Sequence, residues 1–210
     1  MNLAELSIPL KIRLKTDLPG KDSQLKMGIK SKPLYNFTNK EEDAKPSAVL
    51  ILLHEHHNEI CFFLTERTHT VEHHRGQISL PGGTQEPGET LWETALRETN
   101  EEIGVRTNEI KCLGALSPLF VIVTGFMIYP FIGMSHSKLE ITPEPNEVET
   151  VFPVAVNDFI DDKNMKIENR NIRGFDVNVP YFHFNNYKVW GATSMILSEF
   201  KTILEELMNE

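Results

Sequence analysis

Between Gly83 and Val105 the chain reads GTQEPGETLWETALRETNEEIGV, and this stretch limits the fold more than any other. Thr90 followed three residues later by Glu93 forms a capping box, in which each side chain satisfies the other's backbone N–H, so a helix is predicted to begin near Leu91. Gly104 supplies the left-handed residue that ends it. Glu98, Glu101 and Glu102 therefore lie on a helix, at spacings that bring side chains within about 5–6 Å at Cβ. Leu91, Ala95, Leu96 and Ile103 mark an apolar side that should pack on a sheet, while Trp92 is harder to place. The acidic side then looks back toward the Pro81-Gly82-Gly83 turn.

Several carboxylates converging on one surface suit a hard divalent cation, magnesium first (or manganese), which takes oxygen ligands. A solvated acidic face would tolerate the same clustering, since like-charge pairs cost only about 0.2–0.5 kcal/mol each. The glycine turn favours the metal reading: without side chains to block it, the backbone can approach closely and aim a carbonyl or amide at a ligand.

Written as Gly83, five residues, Glu89, seven residues, then Arg97-Glu98-Thr99-Asn100-Glu101-Glu102-Ile103-Gly104-Val105, the stretch resembles the Nudix box of hydrolases that act on nucleoside diphosphates linked to another moiety. Thr99 stands where that pattern prefers an aliphatic residue. The resemblance implies an α/β fold, a Nudix-type α/β/α sandwich with a mixed β-sheet between helices. It also implies that Glu98, Glu101 and Glu102 are metal ligands, joined by the carbonyl of Gly82, and that Arg97 and Glu89 hold them in place. Water would be the nucleophile, and its general base is either Glu101 or a carboxylate of the later loop, of which Glu147 is favoured. Glu147 reads equally as an ordinary charge on the loop surface.

Residues before the box narrow the branch. Phe63-Leu64-Thr65-Glu66-Arg67-Thr68, His74-Arg75-Gly76-Gln77 and Leu80-Pro81-Gly82-Gly83 resemble the extra motif of coenzyme A pyrophosphatases, with Glu72 in place of an arginine and Leu80 in place of a phenylalanine. Shorter matches, among them Ser117-Pro118-Leu119 and Val189-Trp190-Gly191-Ala192-Thr193, extend the likeness along most of the chain. The implied reaction splits coenzyme A or its derivatives into 3′,5′-ADP and 4′-phosphopantetheine, with Arg67, Arg75 and Gly83 against the substrate. Glu72 and Leu80 keep ADP-ribose, dinucleotides and nucleoside triphosphates open as substrates. A catalytically silent nucleotide sensor would normally have lost box glutamates, and all are present here.

The rest of the chain sets bounds. At 210 residues with 40% hydrophobic content it suits one domain with an extension: 1–36 as an N-terminal extension, 37–46 as a linker and 47–210 as the Nudix domain. A net charge of −9 without a basic run speaks against nucleic acid, but not against a small-molecule nucleoside diphosphate held through metal. No apolar stretch approaches a membrane span and the start lacks a secretory pattern, so the expectation is a cytoplasmic protein without a membrane partner. The resemblance also admits a homodimer. Cys61 and Cys112 read as two buried free thiols. His54, His56 and His57 fit no zinc spacing and are expected at the surface, while His73 and His74, just before the glycine-rich loop, read more readily as polar loop histidines than as phosphate contacts. Apolar runs at Ala48–Leu53 and Ile60–Leu64 predict a buried hairpin, Ile110–Leu116, Gly125–Gly133 and Val148–Val156 predict strands, Val156–Ile160 a short helix, and Ala192–Met208 an amphipathic helix against the core.

Overall fold

The computed structural model describes residues 2–29, 38–68, 76–172 and 174–209. Arg75, with Glu72, His73 and His74, lies outside the described residues. Five α-helices are present among those described: α1 (Leu3–Arg13), α2 (Gly20–Gln24), α3 (Leu91–Ile103), α4 (Val156–Ile160) and α5 (Ala192–Met208). The strands are β1 (Lys45–His56), β2 (Glu59–Arg67), β3 (Ile78–Ser79), β4 (Gly82–Thr84), β5 (Lys111–Ala115), β6 (Leu119–Val121), β7 (Phe126–Met134), β8 (Val148–Ala155), β9 (Met165–Ile172), β10 (Phe175–Phe184) and β11 (Tyr187–Val189). None of the described helices is long and apolar enough to cross a membrane.

The main sheet is mixed. Its path runs β3-β2-β1-β7-β5, with β1 and β7 parallel and the other pairs antiparallel, while β4, β6 and β8 add to β1, β7 and β2. β1 sits at the centre and is apolar on both faces, as a strand covered on both sides must be. Its alternation splits the core: Ala48, Leu50 and Leu52 pack with Ala95 and Ile103 of α3, whereas Ile51 and Leu53 pack with α1, α4 and α5. That is the predicted sandwich of helices about a mixed sheet. On the α5 side, Phe159 gathers Phe62, Phe182 and Phe200 at centroid distances of 5.2, 5.6 and 5.7 Å.

β1 starts at Lys45, inside the stretch read as a linker, because Lys45 donates to the Gly125 carbonyl (2.9 Å) and Pro46 pairs with Met127. Nor does the N-terminal segment stand apart: Leu3, Leu6, Leu10 and Met27 are fully buried in the main core. Two expectations are corrected. Cys112 is exposed, since β5 is an edge strand whose register shifts between Cys112 and Gly114; Cys61 is buried as expected. His54 is buried, because the β1–β2 turn is only His57-Asn58, both left-handed, so the strand runs on past His54 and turns its ring inward onto Phe63 (4.1 Å, stacked). Burial holds its pKa down to about 4, and its Nε2 has no hydrogen-bond partner among the described residues. His56 and His57 are exposed.

A second sheet, β9-β10-β11, was not read from the sequence. It docks Phe182, Phe184 and Val189 into the main core and lays β11 beside β3.

Candidate active site

The glycine turn is a short strand laid on β1. Gly82 and Gly83 pair with Val49 and Ala48, and Leu50 donates to the Pro81 carbonyl (2.9 Å). A Cβ on Gly82 would overlap the backbone of Ala48 and Val49, so this close approach requires glycine. A Cβ on Gly83 would overlap the carboxylate of Glu98, which therefore lies directly against the turn.

α3 carries the carboxylates to that turn. Its capping box forms as read: Thr90 donates to Glu93 (2.7 Å) and Glu93 N–H donates back to the Thr90 hydroxyl (3.3 Å). Gly104 closes the helix with φ 71°, and a Cβ there would meet the Thr142 carbonyl at 2.7 Å. Thr142 and Glu144 donate to the carbonyls of Ile103 and Glu102, tying the following loop to the helix end. Thr99 is buried and satisfies its hydroxyl on the Ala95 carbonyl (2.7 Å), which is how a polar residue is accommodated at an apolar position. Trp92 lies against Phe131 (5.5 Å), over the β7 side of the sheet.

Arg97 organises the acidic face. Its Nε and Nη2 donate to Glu89 (3.1 and 2.9 Å), Nη1 donates to Glu98 (2.9 Å) and Glu101 (2.8 Å), and Nη2 also donates to the Thr84 carbonyl (3.0 Å). These hydrogen bonds hold the Glu89 carboxyl down to about 2, helped by the Glu86 N–H, and they raise the pKa of Arg97 itself. Glu102 is the buried member, 2% exposed. Its carboxylate accepts the Gly82 N–H (3.2 Å) and sits 3.6 Å from an Arg67 nitrogen. Burial pushes its pKa up to about 8, against the pull of Arg67 and the Gly82 N–H; Glu98 and Glu147 push in the same direction as burial. Burial raises Glu98 as well, and the Arg97 hydrogen bond opposes it.

The turn thus brings together Gly82, Gly83, Glu89, Arg97, Glu98, Glu101, Glu102 and Arg67, and Glu147 lies within electrostatic reach of Glu98 and Glu102. Among the described residues no three His, Cys, Asp or Glu side chains stand arranged as a finished metal cage, since Arg97 holds Glu98 and Glu101, and Arg67 faces Glu102. The donor set nevertheless suits magnesium or manganese in kind: it is all oxygen, on one helix face, beside a turn whose backbone is open to close approach. Two features escaped the sequence reading. Arg67 pairs with a box glutamate, and the Thr84 carbonyl anchors Arg97; both depend on strand register, which no spacing along the chain reports.

Comparison with known proteins gives the family. Residues 44–173 match the NUDIX domain. The chain belongs to the Nudix family. It is 33% identical over 170 residues to Nudix hydrolase 15, mitochondrial, of Arabidopsis thaliana, covering 77% of this chain and 59% of that protein. It is 31% identical over 158 residues to Nudix hydrolase 3 of Caenorhabditis elegans, covering 67% of this chain and 65% of that one. The chain therefore spans less than two thirds of either relative. Among solved structures, the Nudix hydrolase RenU from M. smegmatis superposes with a TM-score of 0.50 at 14% identity, covering 79% of this chain and 87% of that one, a likeness of Nudix fold alone.

Proposed function

We propose that this Nudix chain hydrolyses a pyrophosphate bond in a nucleoside diphosphate linked to another moiety, with a divalent cation, and that its substrate is coenzyme A or a derivative, released as 3′,5′-ADP and 4′-phosphopantetheine. The observation that carries the proposal is the packing of Glu98 and Glu102 against the backbone of Gly83 and Gly82. Glu98, Glu101, Glu102 and the Gly82 carbonyl would hold magnesium or manganese, and Arg97, hydrogen-bonded to Glu98 and Glu101, would position them, as ligand supports do. When bound, such an ion neutralises charge on the two phosphates and lowers the pKa of a water. The water oxygen bonds to one phosphorus as that phosphorus loses its bond to the bridging oxygen. The water's proton goes to Glu101 or Glu147, both of which are exposed.

Leu80 does not count against the coenzyme A reading: it is buried in the main core, so its departure from the motif falls in the packing. Arg67, expected against phosphate, lies 3.6 Å from Glu102, the carboxylate that also accepts the Gly82 N–H. Arg75, outside the described residues, is assigned to the substrate on the resemblance alone. The test is incubation with magnesium and, separately, coenzyme A, ADP-ribose, NADH and a nucleoside triphosphate, with products identified by mass. Selective release of 3′,5′-ADP and 4′-phosphopantetheine is the expected result; preference for another diphosphate overturns the substrate and keeps the chemistry.

A further inference from the structure

A cleft of about 530 Å³ lies where the three-stranded sheet meets β3, walled by Gln77 and Ile78 on one side and by Arg170, Tyr187, Lys188 and Trp190 on the other. It abuts the candidate active site. Arg67 donates to the Gln77 carbonyl (3.1 Å) and Gly76 donates to the Arg67 carbonyl (3.1 Å), so one wall is the immediate neighbour of the strand that carries Arg67 toward Glu102. Neighbouring strands stand only about 5 Å apart.

The chemistry of the other wall differs from the rest of this acidic chain. The Arg170 guanidinium lies 4.7 Å from the Trp190 ring centroid, and Lys188 lies 5.1 Å from that of Tyr181. Both cations are hydrogen-bonded to one carboxylate, Glu168. Two positive groups share a single negative one, and the cluster keeps an excess positive charge in a chain of net charge −9. Arg170 gives its Nε to Glu168, which leaves the fork of terminal nitrogens for a bidentate anion. Val177 and Val179 are buried and pair across the strands with Arg170 and Glu168, and packing beside them would require only alkyl stems, not unequal charge. The carboxylates of α3 repel any phosphate not neutralised by a cation, whereas this cleft, among the described residues, gathers two cations near the strand that carries Arg67.

We infer that this cleft receives a phosphate monoester borne by the nucleoside of the substrate in addition to its diphosphate, and that Arg170 and Lys188, steadied by Trp190 and Glu168, set the preference for nucleosides so phosphorylated. The inference rests on the reading of the neighbouring site as a pyrophosphate-cleaving centre. Calorimetric binding of 3′,5′-ADP and of adenosine 5′-monophosphate tests it without turnover. The intact chain should bind the bisphosphate at least about tenfold more tightly, the scale of one charge-assisted hydrogen bond, and Arg170→Gln or Lys188→Gln should remove most of that preference while Arg170→Lys keeps part of it. Equal affinity for both ligands in the intact chain, or an undiminished preference in Arg170→Gln and Lys188→Gln proteins that circular dichroism reports as folded, overturns the assignment. In turnover with magnesium, Arg170→Gln should raise KM for coenzyme A about tenfold, leaving kcat and the parameters for dephospho-coenzyme A unchanged. If neither compound is hydrolysed yet the binding preference depends on Arg170, the coenzyme A reading fails and the cleft stands. If coenzyme A is cleaved and the substitutions change nothing, the cleft fails and that reading stands.

Discussion

Arg97 has five N–H groups, and its five hydrogen bonds reach three carboxylates and one carbonyl. A lysine has the charge but not the fork. Arg97→Lys should therefore lower kcat about 10- to 100-fold, the range seen when supports of metal ligands are removed, with little change in melting temperature. A loss confined to KM would sink the positioning role. Gly83→Ala places a methyl group where the Glu98 carboxylate lies, and a shift of about 1 Å in such a group costs on the order of 100-fold in rate. Unaltered turnover by that variant would mean Glu98 is not needed where it sits. His54 gives a prediction in pH. Its folded pKa, about 4, is below the ordinary 6.5, so the unfolded chain takes up a proton that the folded chain refuses. The stability is then complete above pH 6.5 and falls as the pH drops toward 4. His54→Phe keeps the stack on Phe63 and should flatten the fall in melting temperature over that interval; parallel curves for the two proteins would contradict the account. At this scale the box residues were legible because their spacing is helical and local. The burial of His54 was not, because it depends on a turn of only two residues, which the apolar runs on either side do not report.

α3 was readable from end to end, since cap, apolar side and terminating glycine agree with one another. Thr90→Ala removes the cap and should cost about 1 kcal/mol in denaturant unfolding. Gly104→Ala should cost more than that, because it combines a left-handed backbone with a collision against Thr142. If the two substitutions prove equally mild, the loop from Thr142 to Glu147 is not pinned to the helix end as described. The strands of the main sheet were also legible, as apolar runs bounded by polar turns. The β9-β10-β11 sheet was overlooked although its signals are ordinary: Val177, Val179 and Tyr181 alternate, and Asn185-Asn186 forms a two-residue turn with both φ positive. Alternation is weak evidence where the outward residues are as varied as those of β9, and only the finished fold explains why Phe182 and Phe184 of the opposite face are buried.

Across the whole molecule, both ends of the chain fold onto one another. Glu199 of α5 is fully buried and accepts hydrogen bonds from Gly20 N–H (3.0 Å), the Gln24 amide (3.0 Å), and the N–H (3.3 Å) and hydroxyl (2.7 Å) of Ser117. Glu199→Ala would strand these donors out of water and should destabilise the chain by about 3 kcal/mol in equilibrium unfolding. A change below 1 kcal/mol, roughly the worth of a surface pair, would show that the N-terminal segment is held by its leucines alone. No sequence pattern announces a bond between Gly20 and Glu199, so the joining of the two ends was the least legible part of the fold. The parallel pairing of β1 with β7 has a consequence in time. Lys45 must meet Phe126 across roughly eighty intervening residues, and such distant pairings form late and slowly because the loop must close before any contact rewards it. The glycine strand waits on β1, and the carboxylates wait on the glycine strand, so a refolding chain should regain its chemistry in a single late step, with no half-built molecule that already turns over substrate.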